Sequence, residues 1–187
     1  MRSLLILWFI VISPVSMAGQ SWSMKYSMLI SYSKKIASAI KQDIDEKKLT
    51  DAQVYTYLTS LVSYDNRIWS ATLGFSPSFF EKGDARNWWL SDTWQSNKSR
   101  SNKALYAPYV WRSMDNLLAA SDIGDISSSF GYDYTDPKWD WWSRTIQSQK
   151  PTWTGPYESS MTGHSMVTYS VPINHDAVLS FNVWYGP

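Results

Sequence analysis

Residues 152–185 read TWTGPYESSMTGHSMVTYSVPINHDAVLSFNVWY. Three runs rich in β-branched and aromatic residues stand in this stretch: Thr152 to Glu158, Ser165 to Pro172 and Ala177 to Tyr185. The links between them are short, Ser159 to His164 and a turn at Asn174-His175-Asp176. Strands joined this closely run antiparallel. In the last run Ala177, Leu179, Phe181 and Val183 share one face, the period of a half-buried strand.

Upstream, Ile68 to Phe75 (IWSATLGF) predicts a further strand. Trp69, Ala71, Leu73 and Phe75 point one way, and Ile68, Ser70, Thr72 and Gly74 the other. Leu105 to Arg112 (LYAPYVWR) predicts another, with Pro108 marking an edge or bulge. Ser113 to Phe130 reads as a connection with a short helix at Asp115 to Ala120. Glu81 to Asn102 reads as a polar surface excursion, out of keeping only in Trp88, Trp89 and Trp94.

Helices frame these strands. Leu29, Tyr32, Ile36, Ile40 and Ile44 form one apolar stripe on a helix of roughly Met24 to Lys47. Thr50-Asp51-Ala52-Gln53 is a capping box, and Leu49 and Val54 sit where a hydrophobic staple closes it. It opens a helix over about Asp51 to Val62. Asp136-Pro137 supplies an N-cap and an N1 proline for a helix ending near Gln149. Helices grouped around an antiparallel sheet of about five strands make the fold class α+β.

The chain begins with Arg2, an apolar run Leu4 to Ile12, the breaker Ser13-Pro14 and small residues at Ser16 and Ala18. That is the plan of a secretory signal peptide over residues 1–18, with one domain over 19–187. The alternative is an uncleaved membrane anchor at residues 4–15. The 187 residues carry 17 basic and 16 acidic side chains and no cysteine. Disulfides, thiol catalysis and cysteine zinc sites are thereby excluded, and no basic surplus points to nucleic acid. With two histidines and no nucleophile or phosphate-loop motif, no catalytic residue, metal site or cofactor is expected. Asp133, Asp136, Asp140 and Glu158 suggest a glycosidase pair only weakly, because capping and helix pairing explain two of them. The 12 tryptophans and 12 tyrosines are the stronger signal, since aromatic walls with a few polar groups make small-ligand pockets.

Four phrases in order carry a resemblance: Tyr106-Ala107-Pro108-Tyr109-Val110-Trp111-Arg112, then Tyr132-Asp133-Tyr134 leading into Trp141-Trp142, then Trp153-Thr154-Gly155-Pro156-Tyr157, then Thr168-Tyr169-Ser170-Val171-Pro172. Together the chain resembles the extracellular Cache sensor domains, PAS-like modules of bacterial signal-transduction receptors, over about residues 24–185. The resemblance implies a long N-terminal helix on a central PAS-like sheet. It also implies an exported sensor of a small molecule, working with an inner-membrane partner or with a transmembrane and output region of its own. The implied pocket takes Tyr109, Trp111 and Arg112 from the second strand, Tyr134, Trp139 and Trp142 from the loop and helix, and Tyr157 and Asn182 from the closing strands. In amino-acid-sensing relatives a clamp arginine stands five residues after the tyrosine, and an aspartate stands in the last strand. Here those positions are Trp139 and Asn182, which favours a less charged ligand. The competing reading is a Trp-rich exported module that grips carbohydrate or protein through surface indoles.

Overall fold

The computed structural model describes residues 14–81, 85–89, 91–100, 103, 105–159 and 163–186. Most of the signal-peptide reading, residues 1–13, lies outside these described residues. Helices α1 (Pro14–Lys25) and α2 (Ser27–Asp45) follow end to end, interrupted only at Tyr26. On α2 the buried stripe is Leu29, Ser33, Ile36, Ile40 and Ile44. Tyr32 lies beside this stripe and stacks on Tyr64 with ring centroids 3.9 Å apart. Helix α3 (Asp51–Tyr64) begins at the expected box, where the Gln53 amide donates to Thr50 Oγ1 at 3.3 Å. The staple pair Leu49 and Val54 is buried.

Among the described residues the sheet has six strands, close to the five expected: β1 (Ile68–Phe75), β2 (Pro108–Arg112), β3 (Leu118–Asp122), β4 (Thr152–Glu158), β5 (Ser165–Asn174) and β6 (Ala177–Trp184). Their order is β3-β2-β1-β6-β5-β4, and every neighbouring pair is antiparallel. The unforeseen strand β3 replaces the short helix expected at Asp115 to Ala120. It is an edge strand, LAASD, whose largely wet residues carry neither apolar alternation nor β-branching. With β3 outside it, β2 is interior. Pro108 is tolerated there because it is the first residue of the strand.

One face of the sheet lies under α2 and α3. Val54, Leu58 and Leu61 meet Ala71, Leu73, Phe75 and Phe181 in the main core. A bulge between Ile68 and Ser70 corrects the expected alternation of β1. Ile68 joins the core face, while Trp69 moves to the opposite face, where it meets Trp184 edge-on at 6.2 Å.

Two other segments depart from expectation. The described residues between Glu81 and Arg100 are not an irregular excursion: they hold the end of α4 (Pro77–Glu81) and the short helices α5 (Ala85–Trp88) and α6 (Asp92–Arg100). Trp89 and Trp94 are buried against Phe80, and Trp89 Nε1 donates to Asp51 Oδ1 at 3.0 Å. These tryptophans pack the core. The helix expected from Asp136 starts later, as α7 (Asp140–Ser148), with Trp139 at its N-cap position. The Asp136 side chain instead accepts from the Lys138 amide at 3.0 Å, closing a local turn ahead of the helix.

Candidate functional site

The second sheet face is polar along its middle. Ser70 and Thr72 on β1 pair with Asn182 and Ser180 on β6, which pair with Thr168 and Ser170 on β5. Five of these six side chains are buried and Asn182 is half-buried. Thr168 donates to Asn182 Oδ1 at 2.6 Å, and Asn182 Nδ2 donates to Ser70 Oγ at 2.7 Å. Tyr157 reaches Thr168 from β4, with oxygens 3.1 Å apart.

One end of this face is roofed. Trp141 and Trp142 of α7 pack with the fully buried Tyr134, Leu105 and Val178. The Tyr134 hydroxyl meets the carbonyls of Phe75 at 2.5 Å and Tyr106 at 3.0 Å, and accepts from the Tyr106 amide at 3.2 Å. That phenol stitches the loop to the sheet.

Beyond the roof stand partly exposed rings. Tyr109 and Trp111, two residues apart on β2, stack with centroids 5.4 Å apart, and Phe130 leans on Trp111 at 5.9 Å. Tyr132 and Trp139 pack at 4.3 Å. Trp139 Nε1 is buried and meets no acceptor among the described residues. Burial pushes the Tyr109 phenol up to about 12. Burial also raises Tyr157 and Tyr132, and Tyr109 and Tyr157 lie near enough to Tyr132 to add to its shift. All three phenols therefore keep their protons at neutral pH.

Of the eight expected residues, Asn182 lies in this polar strip, Tyr157 bonds to its Thr168, Tyr109 and Trp111 pair with its Thr72 and Ser70, and Trp139 packs on Tyr132. Tyr134 and Trp142 support the strip from within the roof. Arg112 is the exception, because it points to the helix side of the sheet. There its Nη2 donates to the Val62 carbonyl at 2.7 Å and its Nη1 to Asn116 at 2.8 Å. Sequence reasoning missed Ser70, Thr168 and Tyr132. A signal existed for the first two, since β1, β5 and β6 each carry polar residues on the face opposite their apolar one. Asp133 is engaged by Lys103 and Thr135, and Asp140 lies 3.7 Å from Arg144, so neither stands ready for acid–base work.

An antiparallel sheet with α2 and α3 packed on one face and α7 roofing part of the other is a PAS-like α+β arrangement. The family model for the methyl-accepting chemotaxis protein-like first PDC sensor domain matches residues 54–180. The chain belongs to that family, and the resemblance to Cache sensors holds with it.

Among solved structures the chain is similar to the extracellular domains of two candidate histidine kinases. For soHK1S-Z6 the TM-score is 0.59 at 22% identity, covering 91% of this chain and 58% of that one. For mmHK1S-Z3 it is 0.58 at 16% identity, covering 91% and 57%. The chain thus spans less than two thirds of the length of these structures. Methyl-accepting Chemotaxis protein X aligns at a TM-score of 0.50 and 12% identity, covering 88% of this chain and 64% of that one. No curated protein matches.

Proposed function

We propose that this sensor domain binds a small molecule against the Ser70–Asn182–Thr168 strip and signals binding to a membrane-held output partner or region. The observation that supports this best is the pairing of a hydrogen-bonding floor with a rim of five partly exposed rings, Tyr109, Trp111, Phe130, Tyr132 and Trp139. The reading of a surface-indole binding module is disfavoured by burial: Trp22, Trp69, Trp89, Trp94, Trp141, Trp142 and Trp153 are all buried. The proposed chain is exported, loses residues 1–18 and keeps 19–187 as one domain without catalysis of its own. Trp22, just past the cleavage point, packs edge-on against Trp153 at 5.7 Å, so the mature fold needs it. Protein recovered outside the cytoplasm should begin at Gly19.

A thermal-shift screen against metabolites tests the site, because a ligand of the folded state raises the melting temperature. The hit should lose its shift in Trp139→Ala while that variant still unfolds cooperatively. Its affinity should change little with salt, since the strip bears no charge to be screened. A hit that binds Trp139→Ala normally would refute the assignment.

A further inference from the structure

The hydrogen bonds of the floor have a direction. Asn182 Oδ1 can only accept, so the one hydroxyl proton of Thr168 goes to it at 2.6 Å. Thr168 must then accept from Tyr157, whose own proton is thereby engaged at 3.1 Å. On the other side Asn182 Nδ2 donates to Ser70 at 2.7 Å, leaving the Ser70 proton to go elsewhere. Its neighbour is the Tyr109 phenol. If Ser70 donates to Tyr109, the phenol keeps a proton to give; if Tyr109 donates to Ser70, the serine does. Either way one hydroxyl proton at this end is left for a further acceptor.

Other donors join it. Asn182 Nδ2 carries a second proton for which no acceptor is found among the described residues. Trp139 Nε1 is buried without a partner, a state that costs free energy until an acceptor arrives. The acceptor side is poor, since no carboxylate belongs to the floor or to the rim of rings. A ligand ammonium would bring further donors to this surface, whereas a carboxylate or carbonyl would satisfy those already there. Several neutral donors can hold a carboxylate without a cation.

We propose that the ligand is a flat aromatic compound bearing a carboxylate or carboxamide, seated with its oxygens on the Asn182–Ser70–Trp139 donors and its ring among Tyr109, Trp111 and Tyr132. This rests on the aromatic site being the ligand site. The test uses two matched series, phenylacetate, 2-phenylacetamide and phenethylamine, and their naphthyl equivalents, titrated calorimetrically into the purified chain. Acids and amides should bind at least about tenfold tighter than the amines. Amines that bind equally or more tightly, or silence from both series, would overturn the ligand class.

Asn182→Asp replaces the amide N–H with an acceptor. It should weaken the acids about tenfold or more and narrow or invert the gap to the amines. Should that variant fail to fold, Thr168→Val removes the donor that orients the amide and should narrow the gap from the same side. Unchanged selectivity in a folded variant refutes the polarity argument. The two readings fail separately. Tight acid binding that survives Trp139→Ala overturns the site, whereas a Trp139-dependent amine overturns only the ligand class.

Discussion

Trp141 lies so close over Gly74 that a Cβ on Gly74 would stand 3.0 Å from the Cη2 atom of the indole. The Trp142 ring adds two more contacts at 3.2 Å. The helix can sit this low on the sheet because β1 offers no side chain there. Gly74→Ala should therefore lift the α7 end and cost about 1–3 kcal/mol by overpacking. Urea unfolding would read this, and an unchanged midpoint would show that the indoles move aside freely.

Tyr134→Phe removes one oxygen that serves two carbonyls and one amide. Those backbone groups are buried and would be left short of partners. The expected loss is about 1–3 kcal/mol, with no ring volume lost to confuse it. A melting temperature equal to the parent's would mean that water takes the hydroxyl's place.

Asp122 should make the protein more stable as pH falls from 7 toward 5. Burial raises its carboxyl to about 6, although the Ala107 and Gly124 amides and Asn97 favour the ionised form; Asp125 adds a smaller push upward. The folded chain thus takes up a proton in a range where the unfolded carboxyl, near 3.8, does not. The stabilisation is present below the folded value and lost as pH rises through it, amounting to roughly 1 kcal/mol between pH 5 and 7. Asp65, Asp125 and Asp133 are lowered and act in the opposite sense, but only below the ordinary carboxylate range. Denaturant unfolding at both pH values should show the difference, and Asp122→Asn should abolish it. A parent protein less stable at pH 5 would contradict this.

Arg112→Ala separates stability from binding. Loss of the bond to the Val62 carbonyl should cost about 1–2 kcal/mol, while affinity for any ligand of the aromatic site stays within twofold. A tenfold loss of affinity would return Arg112 to the site.

Legibility followed physical distinctness. The capping box at Thr50 and the closing meander were readable because each is a local pattern with one structural solution. Strand β3 was not, since Leu118 to Asp122 owe their conformation to pairing with β2 rather than to their own preference. The bulge at Trp69 was equally silent, and it moved both Ile68 and Trp69 across the sheet. Asp136-Pro137 misled because an Asx turn and a helix N-cap use the same residues. Within the site, aromatic residues announced themselves while Ser70 and Thr168 did not. A serine on a strand looks unremarkable until its neighbours across the sheet are known.

The sheet order joins β1 directly to β6, so the central seam unites segments more than a hundred residues apart, as the Ser70–Asn182 bond shows. Loop closure over that distance is slow relative to hairpin formation. The β6-β5-β4 meander and the β2-β3 hairpin can each assemble by short connections, but the strip spanning β1 and β6 exists only after β1 docks between them. Binding competence should therefore emerge in the last refolding phase, behind the recovery of secondary structure. A ligand present during refolding would then act on the docked state alone, slowing its unfolding and leaving the rate of seam closure untouched.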